Sequence, residues 1–473
     1  MVVHRLTRGG NGAEARLRSV EERAADGRSL RDAVPRDVHG EWTPAPDRRP
    51  VVELLAEQER TRVAELVPLR RERMTSSPFA FYRGAAGVMA ADLAGSPDAG
   101  IHVQLCGDAH LANFGAFATP ERAMAFDIND FDETLPGPFE WDLKRLAASF
   151  EIAGRSRGFG ESERSASVVA MVRSYSEAMR LHARSGNLEV FYDRLTIDDI
   201  VERFASDASD TTLARIRKNV TRAQSKDRLK AFSKLTTSTP DGRIRFRSDP
   251  PVLVPIDELF SADDRDRVLS AITGAIGRYR MTLSPERRSL LDRYQFMDLA
   301  RKVVGVGSVG TRCWVALFIG NGETDPLLIQ VKEAEASVLE KHLPRSRLRH
   351  HGRRVVEGQR AMQSSSDIFL GWDRIESIDG VERDYYFRQL WDWKGSADLE
   401  HVEPDSLELY GRVCGLVLAR AHARTGDPVM ISAYLGRGRS LATALAEFSR
   451  RYADQNDADH AAVLEAHRLS TTG

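Results

Sequence analysis

Two short stretches of the chain gather oxygen-bearing side chains at spacings that suit phosphoryl transfer. One is Cys106-Gly107-Asp108-Ala109-His110-Leu111-Ala112-Asn113, and the other is Phe126-Asp127-Ile128-Asn129-Asp130-Phe131-Asp132-Glu133. In the first, an Asp is followed five residues later by an Asn, in a loop after the alternating segment IHVQL. In the second, the strand-like AMAFDIND delivers further carboxylates. Phosphoryl transfer uses one carboxylate to orient or deprotonate the attacking hydroxyl, and an amide with another carboxylate to hold Mg²⁺ against the phosphates. Magnesium takes hard oxygen ligands and few protein contacts. One Asn and one Asp meet that need, and the second run offers three carboxylates, Asp127, Asp130 and Asp132, within one short stretch. Singly, such residues are ordinary turn formers, and His110 alone is an ordinary loop-fixing hydrogen bonder. Two clusters, each following a strand, carry the catalytic reading.

A third feature lies far downstream. Gly305-Val306-Gly307-Ser308-Val309-Gly310 is a GxGxxG run, which alone fits a dinucleotide-binding turn, a phosphate-covering loop or a tight bend. A dinucleotide fold needs a helix next. Here the chain continues as the β-rich TRCWVALFIG, closed by the Asn321-Gly322 turn. Asp325, at the distance of a ribose-binding acid, stands in a turn beside Pro326 instead of at a strand end. Strand, glycine loop, strand is what remains. Lys332 follows in the next strand, LLIQVK.

The elements that must position these residues can be read from periodicity and punctuation. Residues 1–50, rich in Arg, Gly, Asp and Pro, read as a mobile or loosely docked arm with Trp42 as its anchor. Residues 51–160 start as helix broken near SSPF, then give the two acidic segments as strand, loop and strand. PGPF then breaks the chain before the helix EWDLKRLAASFEIAGR. Residues 161–295 read as mostly helical, and 213–247 carry eleven Lys/Arg against two acids. That run reads as a solvated helix face, with an anionic partner such as RNA as the lesser alternative. Residues 296–395 form a small antiparallel sheet with one helix, around RRVVEGQRAMQ, and 396–473 return to helices. The outline is α+β.

Composition narrows the classes. The 473 residues are 42% apolar and 29% charged, with 68 Lys+Arg against 69 Asp+Glu. A globally basic nucleic-acid binder is excluded by that balance. Three scattered cysteines, Cys106, Cys313 and Cys414, offer neither zinc spacing nor a disulfide framework, which suits a reducing cytoplasm. No membrane span or secretory signal is legible.

GDAHLAN resembles the GDxHxxN catalytic loop of aminoglycoside-phosphotransferase-like kinases, a branch of the protein-kinase-like superfamily. Asp130-Phe131-Asp132 resembles that branch's metal-binding Asp and aromatic, and Asp142 the Asp that opens the next helix and braces the catalytic loop. The resemblance implies that Asp108 is the base or hydroxyl orienter, with His110 beside it, and that Asn113 and Asp130 or Asp132 hold Mg²⁺. Cys106 departs from the branch's usual His at an architectural position. Gly305, Gly307, Ser308 and Gly310 would cover the ATP phosphates. Lys332 resembles the kinase lysine of the third strand, which would contact the α/β-phosphates and pair with Glu357 of the following helix, or with Glu340 or Glu335. YYFRQLWDWKG resembles the segment joining two kinase lobes, where the backbone of Gln389, Leu390 and Trp391 would meet adenine.

In ordinary kinases the glycine loop precedes the catalytic loop; here it follows. The resemblance therefore implies a circularly permuted two-lobed fold, supported by LYGRVCGLVLARAHA, which resembles the helix that leads into the catalytic loop. At whole-chain level SPFAFYRGAA, QLCGDAHLANFG, FDINDFDETLPGPFEWDLKRLAAS, VVGVGSVGTRC and LARAHARTGD resemble the bacterial family numbered as domain of unknown function 2252. The activity expected is ATP- and Mg²⁺-dependent phosphate transfer to a hydroxyl of a small molecule. AMP transfer or a non-catalytic ATP-binding regulator are the alternatives. Arg83 reads as a helix-surface salt bridge more readily than as a phosphate contact, and His422 as a helix-end packing residue.

Overall fold

Alternation in IHVQL produces β1 (His102–Leu105), which leads through a single 3-10 turn into β2 (Phe114–Ala118). β3 (Met124–Ile128) pairs antiparallel with β2, and β4 (Leu135–Pro138) pairs antiparallel with β1. The computed structural model describes residues 18–206, 210–225, 227–240, 242–377, 379–390 and 393–472. β2 and β4 depart from the sequence reading, which made ANFGAFA a loop and PGPF a breaker. β4 tolerates its two prolines because β1 is its sole strand partner, leaving one edge free of ladder bonds. With these pairings, the β1–β2 loop (106–113) and the β3–β4 loop (129–134) run side by side. The Asn129 amide donates to the Asn113 carbonyl at 2.8 Å.

Behind them lies the helix Phe139–Ser156, buried on every side from Phe139 to Gly154. It is wrapped by the helices Glu161–His182, Pro404–Thr425 and Arg439–Thr472, which share one apolar core with it. A Cβ on Gly415 would sit 2.3 Å from the Met171 carbonyl, so glycine there is what lets two of these helices touch backbone to backbone.

The region between these helices and the sheet contains more strand than its sequence suggests. It gives the short hairpin β5 (Thr236–Ser238) and β6 (Ile244–Phe246), then β7 (Leu253–Pro255). β8 (Gln295–Lys302), β9 (Cys313–Ile319), β10 (Pro326–Ala334), β11 (Gly371–Glu376) and β12 (Glu382–Gln389) complete an antiparallel sheet with the order β11-β12-β10-β9-β8-β7. The helix His351–Met362 connects β10 to β11. After β12 the chain crosses back, and β13 (Gly395–Ser396) adds to β2, Ser396 opposite Gly115. The fold is α+β with antiparallel sheets, as the periodicity implied.

The basic run 213–247 is not a solvated face throughout. Ala223, Ala231, Leu235 and Phe246 are buried, while Lys226 and Asp241 lie outside the described residues. Among the described residues no helix is long and apolar enough to cross a membrane.

The described part of the N-terminal arm, 18–50, is docked. Its helix Val20–Ala33 opens on a Ser19/Glu22 capping box and packs against the helix Pro428–Leu435. Arg31 Nε donates to the Tyr434 carbonyl at 2.9 Å. Trp42, 7% exposed, meets Tyr452 edge-on at 4.9 Å and Phe448 at 6.4 Å. Trp42→Ala is expected to cost about 3–5 kcal/mol, read as a lower urea midpoint with an unchanged slope.

Candidate active site

The helix Phe139–Ser156 fixes the Asp108 loop with three residues of one face, Asp142, Arg145 and Ser149, spaced three and four apart. The Asp142 carboxylate accepts the amides of Cys106 (2.8 Å) and Gly107 (3.0 Å). Arg145 Nε donates to Asp108 Oδ1 at 2.5 Å, and Ser149 Oγ accepts the Leu111 amide at 3.0 Å. Gly107 has φ +83°, and a Cβ there would strike the Glu133 carbonyl at 2.3 Å, so only glycine fits between the two loops. His422 completes the brace from the helix Pro404–Thr425, with Nε2 3.3 Å from Asp142 and Nδ1 2.9 Å from the Tyr175 hydroxyl.

Burial pushes the Asp108 carboxyl up, against the pull of Arg145. Arg145 occupies one of its oxygens and leaves Oδ2 to the open side. His110 Nε2 lies 3.8 Å from that Oδ2. Burial, reinforced by Arg83 and Arg145, holds His110 well below the usual histidine range, so it stays neutral at physiological pH. Asn113 Nδ2 donates to the Asp108 carbonyl at 2.8 Å, leaving its amide oxygen as an acceptor.

The second loop is tied to the sheet. Lys332 Nζ pairs with Asp132 Oδ2, and the Tyr386 hydroxyl donates to Asp132 Oδ1 at 2.8 Å. Lys332 and Tyr386 are cross-strand partners in β10 and β12, so both reach from the same sheet face. Burial works against the Lys332 ammonium, but Asp130 and Asp132 outweigh it and hold its pKa well above the lysine norm. Asp130 is pushed up by burial and by the neighbouring Asp132 carboxylate.

Two of the three glycines in the 305–310 loop, between β8 and β9, need the left-handed region: Gly305 at φ +69° and Gly310 at φ +91°. The loop is pinned from outside. Arg73 Nη1 donates to the Gly305 carbonyl (2.8 Å), Arg62 Nη1 to that of Val309 (2.5 Å), and the Val63 amide to that of Gly310 (2.8 Å).

Both loops and the glycine hairpin face one cavity of about 860 Å³, lined by Asp108, His110, Asn113, Asp130, Asp132 and the run Gly305–Ser308. Arg83 lines it too, with a buried Nε that has no hydrogen-bond partner. The surface salt bridge expected for Arg83 is replaced by a cavity-facing guanidinium.

Other expected residues fall elsewhere. Asp127 is fully buried on β3, paired with Arg420 at 2.5 Å and bonded by the Ser364 amide, which removes it from the metal candidates. Glu357 pairs with Arg353 on an exposed helix face and is not brought to Lys332. Glu335 and Glu340 line the cavity but are not the lysine's partners; that place belongs to Asp132. Lys332 itself stands behind Asp132, 2% exposed, and is not on the cavity wall. Gln389 and Leu390 border a different cavity, with Asn129, Leu327 and Trp393, and Gln389 donates its amide to Asp367. Trp391 lies outside the described residues.

Sequence reasoning missed Arg145, Arg354 and Glu133. Arg145 was detectable, one helical turn beyond Asp142. Arg354, early in the helix after Lys332, donates to the carbonyls of Asp132 and Thr134 at 2.7 Å each. Glu133 lines the cavity, accepts the Val338 amide at 2.7 Å, and is pushed up by burial to about 7.

Among the described residues no three His, Cys, Asp or Glu are disposed to hold a metal ion. The remaining set is an amide oxygen, the Asp130 carboxylate and the already engaged Asp132. All three are hard oxygen donors, and a cation would relieve the repulsion between the two carboxylates. That donor chemistry suits a hard divalent cation such as magnesium.

Because the folded protein favours the protonated form of Glu133, its contribution to stability is present below the unfolded pKa of about 4.3 and lost as pH rises through about 7. Glu133→Gln should therefore melt close to wild type at pH 4 and above it at pH 8, by roughly 1–3 °C in paired thermal scans.

No curated protein and no solved structure matches the chain. Residues 62–466 match the model of a family described as an uncharacterized protein conserved in bacteria, DUF2252. The match takes in both acidic loops, the glycine hairpin and Lys332, and the chain belongs to this bacterial family.

Proposed function

We propose that the protein is an ATP- and Mg²⁺-dependent phosphotransferase acting on a hydroxyl of a small-molecule acceptor, with a permuted kinase-like fold. The observation that carries this reading is the single cavity shared by Asp108, Asn113, Asp130 and the glycine loop, stretches separated by almost two hundred residues of chain. The chain order within the sheet supports it: a glycine hairpin, a lysine on the next strand, then a helix before the following strand pair.

In this reading Asp108, held by Arg145 and with Oδ2 free, orients the acceptor hydroxyl and takes its proton as the oxygen–phosphorus bond forms. The bond to the bridging β–γ oxygen breaks at the same time, and the diphosphate leaves with the electron pair. Asn113 and Asp130 would hold a magnesium ion, which would supply charge that neutralises the phosphates. Arg83, whose Nε has no partner and whose charge is felt by Asp108 and Asp130, meets the same negative charge within the cavity. Lys332 is a positioning residue here, since it acts through Asp132.

Asp108→Ala and Asp130→Ala should each lower ATP turnover by about a hundredfold or more, measured as release or transfer of labelled γ-phosphate. Equal turnover in wild type and both variants would remove these residues from the mechanism.

A further inference from the structure

The sheet face that carries Lys332 continues beyond it, and what covers that continuation bears on the donor. Along β10 the residues on this face are Lys332, Gln330 and Leu328. Their cross-strand partners are Cys313, Val315 and Leu317 on β9, and Tyr386 and Arg388 on β12. Residues two and four places from Lys332 lie about 7 and 13 Å along the strand. That is the reach of a ribose and base whose phosphates sit between the glycine loop and Asp130.

This stretch is already filled by the chain itself. Leu328, Val315, Leu317, Ala300 and Leu390 form one buried cluster with Ala231 and Leu235 of the helix Arg228–Leu235 and with Phe246 of β6. Gln330, 2% exposed, bonds to Cys313 and accepts Arg388 Nε at 2.8 Å. Arg388 then reaches on to the Asn129 carbonyl at 3.3 Å. The amides at the end of β12 that would read a base are also taken: Gln389 donates to Asp367, and Leu390 to the Leu328 carbonyl at 2.9 Å. Among the described residues no Phe, Tyr or Trp lines the cavity of the acidic loops, and the rings on its wall are the imidazoles of His110 and His351.

We infer that the donor is recognised through its magnesium-bound polyphosphate alone, with the base directed out of the cavity and unread. The inference rests on the phosphotransferase reading and widens its donor class from ATP to any nucleoside triphosphate or inorganic tripolyphosphate. The helix Arg228–Leu235 and the β5–β6 hairpin, from the basic run of the sequence, are the elements that exclude the base.

Calorimetric titration of the full chain with the magnesium complexes of ATP, GTP and tripolyphosphate tests this. Asp130→Asn, an isosteric change, and Ser308→Ala serve as site reporters. The expected result is three dissociation constants within about threefold of one another, each raised about tenfold or more by Asp130→Asn. ATP binding about tenfold tighter than GTP, or tripolyphosphate about tenfold weaker than both nucleotides, overturns the inference. If that preference is still lost in the variants, the donor site itself stands. Binding that ignores both variants, or no binding of any of the three, removes the donor-site reading and the inference together.

Discussion

The charge pair between Lys332 and Asp132 joins two parts of the molecule separated by two hundred residues of chain. Removing Asp132 leaves the Lys332 ammonium, 2% exposed, desolvated without its partner, a loss of about 3–5 kcal/mol, whereas Asp132, 26% exposed, keeps one side on the cavity. The pair also has a direction. Lys332 and Tyr386 come from neighbouring strands and grip the two oxygens of one carboxylate, which fixes the Asp132 side chain against the sheet. Arg354 grips the carbonyls of the same loop from the helix side. The acidic loop is thus registered on the sheet by three donors from three elements, and the cavity geometry follows from that registration.

The opposite anchorage uses less charge and more hydrogen bonding. Asp142, Arg145 and Ser149 present an amide acceptor, a cation and a hydroxyl from one helix face to one loop. That helix is buried all round, so its polar residues are forced to find partners. The Asp108 loop is what they find. Side-chain position in the cavity is therefore set by two rigid bodies, a buried helix and a β-sheet, rather than by the loops themselves.

Much of this was legible. Alternation exposed β1 and β3, and turn punctuation exposed β9 to β12 with the helix between them, while β8 begins within the stretch read as helical. The spacing of Asp108, Asn113, Asp130 and the glycines marked residues that share the cavity. The misses have physical causes. β2 and β4 are short and carry glycine or proline, so propensity argues against them and pairing alone makes them strands. Glu357 was expected beside Lys332 because it stands in the following helix, but its register turns it outward to Arg353. Asp127 differs from Asp130 by three positions, and strand alternation buries it against Arg420. Nothing in the basic run announced that it would lie on the Lys332 face of the sheet, because its apolar residues are few and spread over two helices and a hairpin.

The pinned glycine loop has a consequence for how a ligand would be met. With the carbonyls of Gly305, Val309 and Gly310 held by Arg73, Arg62 and the Val63 amide, the hairpin is no free flap. A pre-shaped loop of this kind asks little ordering entropy of an incoming anion. The cost falls on adaptability instead: any closing motion must carry the helical segment around residues 62–75 along with the hairpin, as one piece.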